Sequence, residues 1–197
     1  MLSLKYINKL SKHYSKMFNT DDRLAGAIMD YDVADKPTAL IFVGMPTKDE
    51  PYYKLGSIGM SEYRQSSKTP YTEVVMALPK YWRFNTNDNR WDWPINLMKT
   101  IVKAPYLLNK PFTYYDSIGI SENFETFDNS TDKSAALFVP LTTFDKSYQK
   151  LRIGLKNVNF MQIFAVNQFT FKAVDKPNKK ELINKLITSK QFDLVVH

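Results

Sequence analysis

Leu4, Ile7, Leu10, Tyr14, Met17 and Phe18 recur at helical spacing, and Lys5, Lys9, Lys12 and Lys16 occupy the opposite side. That is the pattern of an amphipathic helix over residues 1–20, ended by the polar run Asn19-Thr20-Asp21-Asp22. The pattern then changes. Thr38–Val43 is a continuous apolar, β-branched run closed by Gly44 and Pro46, and it predicts a strand. Tyr52–Met60 and Thr72–Leu78 predict two more, separated by a polar stretch from Ser61 to Pro70 that suits an open hairpin or a crossover. Pro79 closes the third.

Asp92-Trp93-Pro94 predicts a helix start, with Pro94 in the first turn where its missing N–H does no harm. Ile95, Met98, Ile101 and Val102 carry the helical spacing, and Pro105 marks a stop. Ala135–Val139 is a short apolar strand before Pro140. Val158–Val166 is the longest apolar run and predicts a central strand. Leu182, Ile183, Leu186 and Ile187 define a last helix after Pro177, and Phe192–Val196 suits a closing strand. The order is helix, strands, helix, strands, helix, without regular βαβ alternation. It predicts an α+β fold: a single domain over 1–197, with a mixed β-sheet flanked by helices.

Composition narrows the chemistry. The 197 residues are 44% hydrophobic and 14% aromatic, enough for one packed core. Cysteine is absent, which removes disulfides, thiol nucleophiles and cysteine metal sites. Only His13 and His197 are available, so a Ser-His-Asp system would depend on a histidine at the polar border of the first helix or on the last residue. No catalytic residue, metal site or cofactor is expected. Gly56-Ser57-Ile58-Gly59 lacks the Lys-Ser/Thr of a phosphate loop and predicts a turn or a close backbone approach. The first residues contain no apolar h-region, so a signal peptide is not expected. No run is long enough to span a membrane. These points predict a cytoplasmic protein with no membrane partner.

The net charge of +7 is unevenly distributed. Residues 1–19 carry four lysines and no acid; residues 121–132 carry Glu122, Glu125, Asp128 and Asp132 and no base. The basic excess alone does not make nucleic acid an expected partner, because such binding needs a clustered basic face.

Several segments resemble the suppressor-of-fused-like family, in particular its bacterial antitoxin members. Tyr53-Lys54-Leu55-Gly56-Ser57-Ile58-Gly59-Met60-Ser61-Glu62 is similar to the family's strand and turn ending in Gly-Met-Ser. Glu73 to Trp82 is similar to a segment that begins with Glu and carries Leu-Pro, here Leu78-Pro79, ahead of a Trp. Trp93-Pro94-Ile95 is similar to its Trp-Pro-Ile helix start, and Ala136 to Pro140 and Phe160 to Asn167 resemble two later strands. The resemblance covers about residues 50–190. Tyr115-Asp116-Ser117-Ile118 departs from a family Gly-His-Thr-Ile, so no role of that histidine carries over. Asn167 replaces a frequent proline. Gly56, Gly59, Met60, Ser61, Pro79, Trp93, Pro94 and Pro140 are expected to maintain the fold.

The resemblance implies stoichiometric protein binding, most simply by an immunity protein or antitoxin that neutralises a cognate polymorphic, nuclease-type toxin. The alternatives are a regulator of a transcription factor or nucleic acid, and an uncharacterised carboxylate-dependent enzyme. For a toxin partner, Glu122, Phe124, Glu125, Phe127 and Asp128 form an acidic loop with aromatic anchors, suited to a basic cleft. Trp82 and Trp91 are further candidate contacts, or a cap on the core.

Overall fold

The computed structural model describes residues 3–20, 26–30, 39–65, 68–84, 88–119, 121, 123, 125–174 and 176–188. Its centre is one sheet of eight strands: β1 (Gly26–Asp30), β2 (Ala39–Gly44), β3 (Tyr52–Ile58), β4 (Tyr71–Pro79), β5 (Ser117–Gly119), β6 (Lys133–Val139), β7 (Lys150–Ile153) and β8 (Lys156–Asn167). They lie in the order β1-β2-β3-β4-β8-β6-β5, with β7 hairpinned onto the start of β8. Only β4 and β8 pair in parallel, so the sheet is mixed. The long apolar run becomes the central strand, bordered by β4, β6 and β7.

Strands β2, β4 and β6 are buried along nearly their whole length, because helices cover both sheet faces. Helix α1 (Leu4–Met17) lies on one face above Leu40, Phe42, Val75 and Phe160. Helix α2 (Asn89–Leu107) lies on the other above Ile41, Leu55, Met76 and Phe138. Helices α3 (Gln168–Val174) and α4 (Lys179–Thr188) cover Ala135, Leu137 and Val166.

Several expectations shift. The helix α1 runs as predicted and is capped by the Ser3 side chain, which accepts from the Tyr6 N–H. Its buried stripe, however, is Tyr6, Leu10, His13, Tyr14 and Met17; Leu4 is exposed and Ile7 half-buried. What lies beneath selects that stripe. The His13 ring stacks on Phe160 at 4.5 Å, and its Nε2 lies 3.0 Å from the Tyr148 carbonyl oxygen, so it is a core residue and not a border one. Tyr14 sits directly over Gly56, where a Cβ would come within 2.5 Å of the ring. The expected close approach at Gly56 is therefore the seat of a tyrosine.

Helix α2 starts earlier and ends later than the prolines suggested. Asp88 accepts from the Arg90 N–H and sets the start, so Pro94 falls in the second turn, not the first. Pro105 lies inside the helix. Each proline removes one backbone bond, but Trp93, Leu97, Met98, Ile101, Val102 and Ala104 are buried, and packing outweighs the loss. Strand β3 stops at Ile58 because Gly59, at φ 133°, turns the chain into a single 3-10 turn over Met60–Glu62. Strands β1, β5 and β7 and helix α3 were not expected from the pattern. The proposed closing strand Phe192–Val196 lies outside the described residues.

Candidate protein-binding surface

The acidic segment connects β5 to β6 and crosses α2. At one end Ile118 and Gly119 of β5, the last strand of the sheet, meet Leu97, Thr100, Ile101, Ala104, Leu107 and Leu108 around a cavity of about 220 Å³. At the other end Phe127 stacks on Trp93, with centroids 5.3 Å apart, and its N–H donates to the Lys133 carbonyl. Between them the loop is held by its own polar groups. Ser121 Oγ accepts from the Glu125 N–H at 2.9 Å, and Asp128 Oδ1 accepts from the Ser130 N–H at 2.8 Å.

This geometry sorts the candidate residues. Glu125 is exposed and Asp128 half-buried at the surface. Asp132 is held below the usual carboxylate range, chiefly by its hydrogen bond from Lys133, and also accepts from Asn167. Its charge is answered locally. Phe127 faces the core. Glu122 and Phe124 lie outside the described residues. Trp82 is buried, donates from Nε1 to the Trp91 carbonyl at 2.9 Å, and meets Trp91 and Trp93 edge to face. Of the two tryptophans only Trp91 keeps an outer surface; Arg83 lies 5.7 Å from its ring centroid. Trp82 thus caps the core, the second of the two roles considered for it.

Pattern reading passed over the strongest apolar feature of this face. Tyr106, Leu107 and Leu108 project at the end of α2, the two leucines 59% and 58% exposed, beside the cavity. The signal was the triplet Tyr106-Leu107-Leu108 after Pro105, which the supposed proline stop concealed. An exposed apolar cluster next to a short sheet edge, with carboxylates a few residues away along the loop, can accept an apolar anchor and meet a basic partner.

The family-motif glycines and serines gather elsewhere, under α1. Glu73 is completely buried and collects the hydroxyls of Ser57 and Ser61 and the N–H groups of Gly59 and Ser61. Tyr6 Oη lies 2.6 Å from Ser61 Oγ, and Tyr14 donates to the Ser57 carbonyl. Burial pushes the Glu73 carboxyl above its ordinary value, although all four donors pull the other way. This knot fixes the turn at Gly59 and seats α1. Met60 is buried on the α2 side, Pro79 and Val139-Pro140 end strands β4 and β6, and Trp93 and Pro94 sit in α2. At the site of the family's Gly-His-Thr-Ile, Tyr115 holds φ 72°, a conformation that favours glycine. Among the described residues no three His, Asp or Glu side chains gather as a metal site, and no helix is long and apolar enough to cross a membrane.

The architecture is a mixed sheet with helices on both faces, and comparison with known proteins gives the family. The model for Suppressor of fused protein (SUFU) matches residues 34–196, and the chain belongs to that family. Among solved structures, one described as a SUFU homolog from Neisseria gonorrhoeae superposes with a TM-score of 0.70 at 12% identity, over 99% of this chain and 97% of that one. The Sufu–Fu complex matches at 0.65 and 14%, over 92% of this chain and 83% of that one. Drosophila Suppressor of Fused matches at 0.67 and 12%, over 98% of this chain and 49% of that one. No curated protein matches the sequence.

Proposed function

We propose that the protein is a stoichiometric binding protein, an immunity protein that neutralises a cognate toxin by covering it with the α2 face. The observation that carries this reading is the junction of the exposed Leu107 and Leu108, the cavity they border, and the acidic β5–β6 loop. An apolar anchor in the cavity would supply contact energy, and Glu125 and Asp128 would steer a basic, phosphate-binding cleft toward it. A family relative solved in a complex with Fu supports protein binding as the mode of action. The resemblance to bacterial antitoxin members supports a toxin as the partner.

The test is co-expression with the product of an adjacent toxin-like reading frame. Glu122→Lys, Glu125→Lys and Asp128→Lys together are expected to leave the protein folded, with at most the small loss of the Asp128 bond to the Ser130 N–H, and to abolish protection. Full protection by the triple variant, and by Leu107→Ser with Leu108→Ser, would exclude the α2 face as the neutralising surface.

A further inference from the structure

Helix α1 and strand β7 border a groove of about 510 Å³, lined by Lys9, Lys12 and Lys16 from the helix and Leu151 from the strand. All three lysines are exposed, and Leu151 is half-buried. No acidic residue lines the groove, and among the described residues no carboxylate pairs with any of the three lysines. Asp21 and Asp22, which follow α1 in the sequence, lie outside the described residues. His13 also lines the groove, but its ring is buried against Phe160 and Tyr148. The helix that carries the lysines is firmly seated. Tyr14 donates to the Ser57 carbonyl, and the Phe18 carbonyl accepts from the buried Lys54. The charges are therefore held in place before any partner arrives.

The spacing of the lysines narrows the partner. Three and four residues apart, they fall within about 60° of one another around α1 and span about 10 Å along it. Carboxylates at i, i+4 and i+7 of a second helix laid antiparallel reproduce both steps, because the two helices share one rise per residue. Same-side residues of a strand stand roughly 6.6 Å apart and match only the longer step. Nucleic acid is disfavoured by the lining. No arginine is there for bidentate phosphate contact, and the one aromatic ring is buried, so a base has no face to stack on. Leu151 and the lysine stems instead offer an apolar strip, suited to an apolar side chain at i+3 of the incoming helix.

We propose that this groove binds an acidic amphipathic helix of a partner protein, its carboxylates on Lys9, Lys12 and Lys16 and an apolar side chain against Leu151. Charge complementarity draws the helix in, and the matched helical repeat sets its direction. The groove lies on the α1 face of the sheet, opposite the α2 face and its acidic loop. One chain can thus hold an acidic partner on one face while a basic one occupies the other, which goes beyond neutralisation of a toxin.

The experiment is fluorescence anisotropy of the full chain with a labelled, alanine-based helical peptide of about 18 residues, carrying Glu at i, i+4 and i+7 and Leu at i+3. Saturable binding is expected, weakening as salt is added. Lys9→Gln, Lys12→Gln and Lys16→Gln should each lower affinity about threefold, and the three changed to Glu together should abolish binding. Serine in place of the peptide's leucine should lower it about fivefold. The lysines are exposed, so the Gln variants should melt with the wild type. No binding, or binding that the lysine variants leave unchanged, would overturn the proposal. Equal binding of a peptide of the same composition with Glu at i, i+2 and i+5 would also overturn it. So would duplex DNA binding as tightly through the same lysines, which would make the groove a general polyanion site. Self-association of the wild type in sedimentation velocity, lost in the Glu variant, would make a second copy the occupant instead. Toxin protection is not read in this assay, so its result is separate from the fate of the neutralisation proposal.

Discussion

The two faces of the sheet are built on different chemistry. Beneath α1 the interior is full of tethered polar groups: Glu73 with its four donors, Tyr6 and Tyr14 with hydroxyl partners, His13 on the Tyr148 carbonyl, and Lys54. Lys54 is fully buried, and its Nζ donates to the carbonyl of Phe18 at the end of α1 and pairs with Glu50 at 2.7 Å. Beneath α2 the interior is aliphatic and aromatic, and the tryptophan indole on the Trp91 carbonyl is a rare polar tie. The outer surfaces are reversed. The tethered helix shows lysines to solvent, while the apolar-packed helix ends in exposed Tyr106, Leu107 and Leu108. A helix fixed by directional bonds has one seating and can carry a fully charged exterior. A helix held by nondirectional packing relies on shape, and its apolar surface runs on past the core.

The sharpest way to break this contrast is Glu73→Ala. It takes the acceptor from the Ser57 hydroxyl and from the Gly59 and Ser61 N–H groups in a fully buried site, and should cost about 4 kcal/mol. Urea denaturation would read it. Glu73→Gln keeps an acceptor for the two N–H groups but turns an amide donor toward a hydroxyl, so its loss should be clearly smaller. Equal losses in both variants would mean the knot works by packing, and the two faces would then be alike.

That knot also marks how far the sequence was readable. Strands β2, β4, β6 and β8 and helices α1, α2 and α4 declare themselves because long runs or strict spacing survive any tertiary context. The three-residue β5 and four-residue β7 do not, since a strand that short is made by its neighbour. Helix ends were misplaced at Pro94 and Pro105 because proline's local cost was outweighed by burial that only the fold reveals. Glu73 looked like an ordinary polar residue near the start of the apolar strand Thr72–Leu78, and its partners lie 12 to 16 positions away. The acidic loop was visible as composition. Which of its aromatics face inward was not, because Phe127 is placed by Trp93 on a different element.

The tethered face should also show opposing titrations. Burial lowers the pKa of His13 below 6.5, with the nearby Lys16 acting the same way and the hydrogen bond to Tyr148 opposing. The unfolded chain takes up that proton first. Stability from neutral His13 is therefore complete above 6.5 and is lost as pH falls through the lowered folded value. Glu73 has the reverse sign. Its contribution is complete below 4.5 and is lost as pH rises through the raised folded value. The two slopes have opposite signs, so each offsets the other in the wild-type profile wherever both groups titrate. His13→Gln should expose a stability that falls as pH rises, and Glu73→Gln one that rises with pH. Denaturation midpoints across this range would check both; identical profiles for the two variants would show that neither group is titrating in the folded core.

The smallest effect belongs to the opposite face, and it separates packing from recognition. Leu107→Ser and Leu108→Ser remove apolar surface that is already more than half in water. Each should change stability by no more than about 0.5 kcal/mol, read by thermal denaturation. If either costs as much as a core truncation, the end of α2 is part of the folding core and the cavity beside β5 is an internal packing defect. If both are silent in stability but toxin capture falls, the same leucines that contribute nothing to folding contribute to binding. A solvent-facing apolar cluster with no structural role needs another reason to be there, and contact with a partner is the one that its position beside the acidic loop supports.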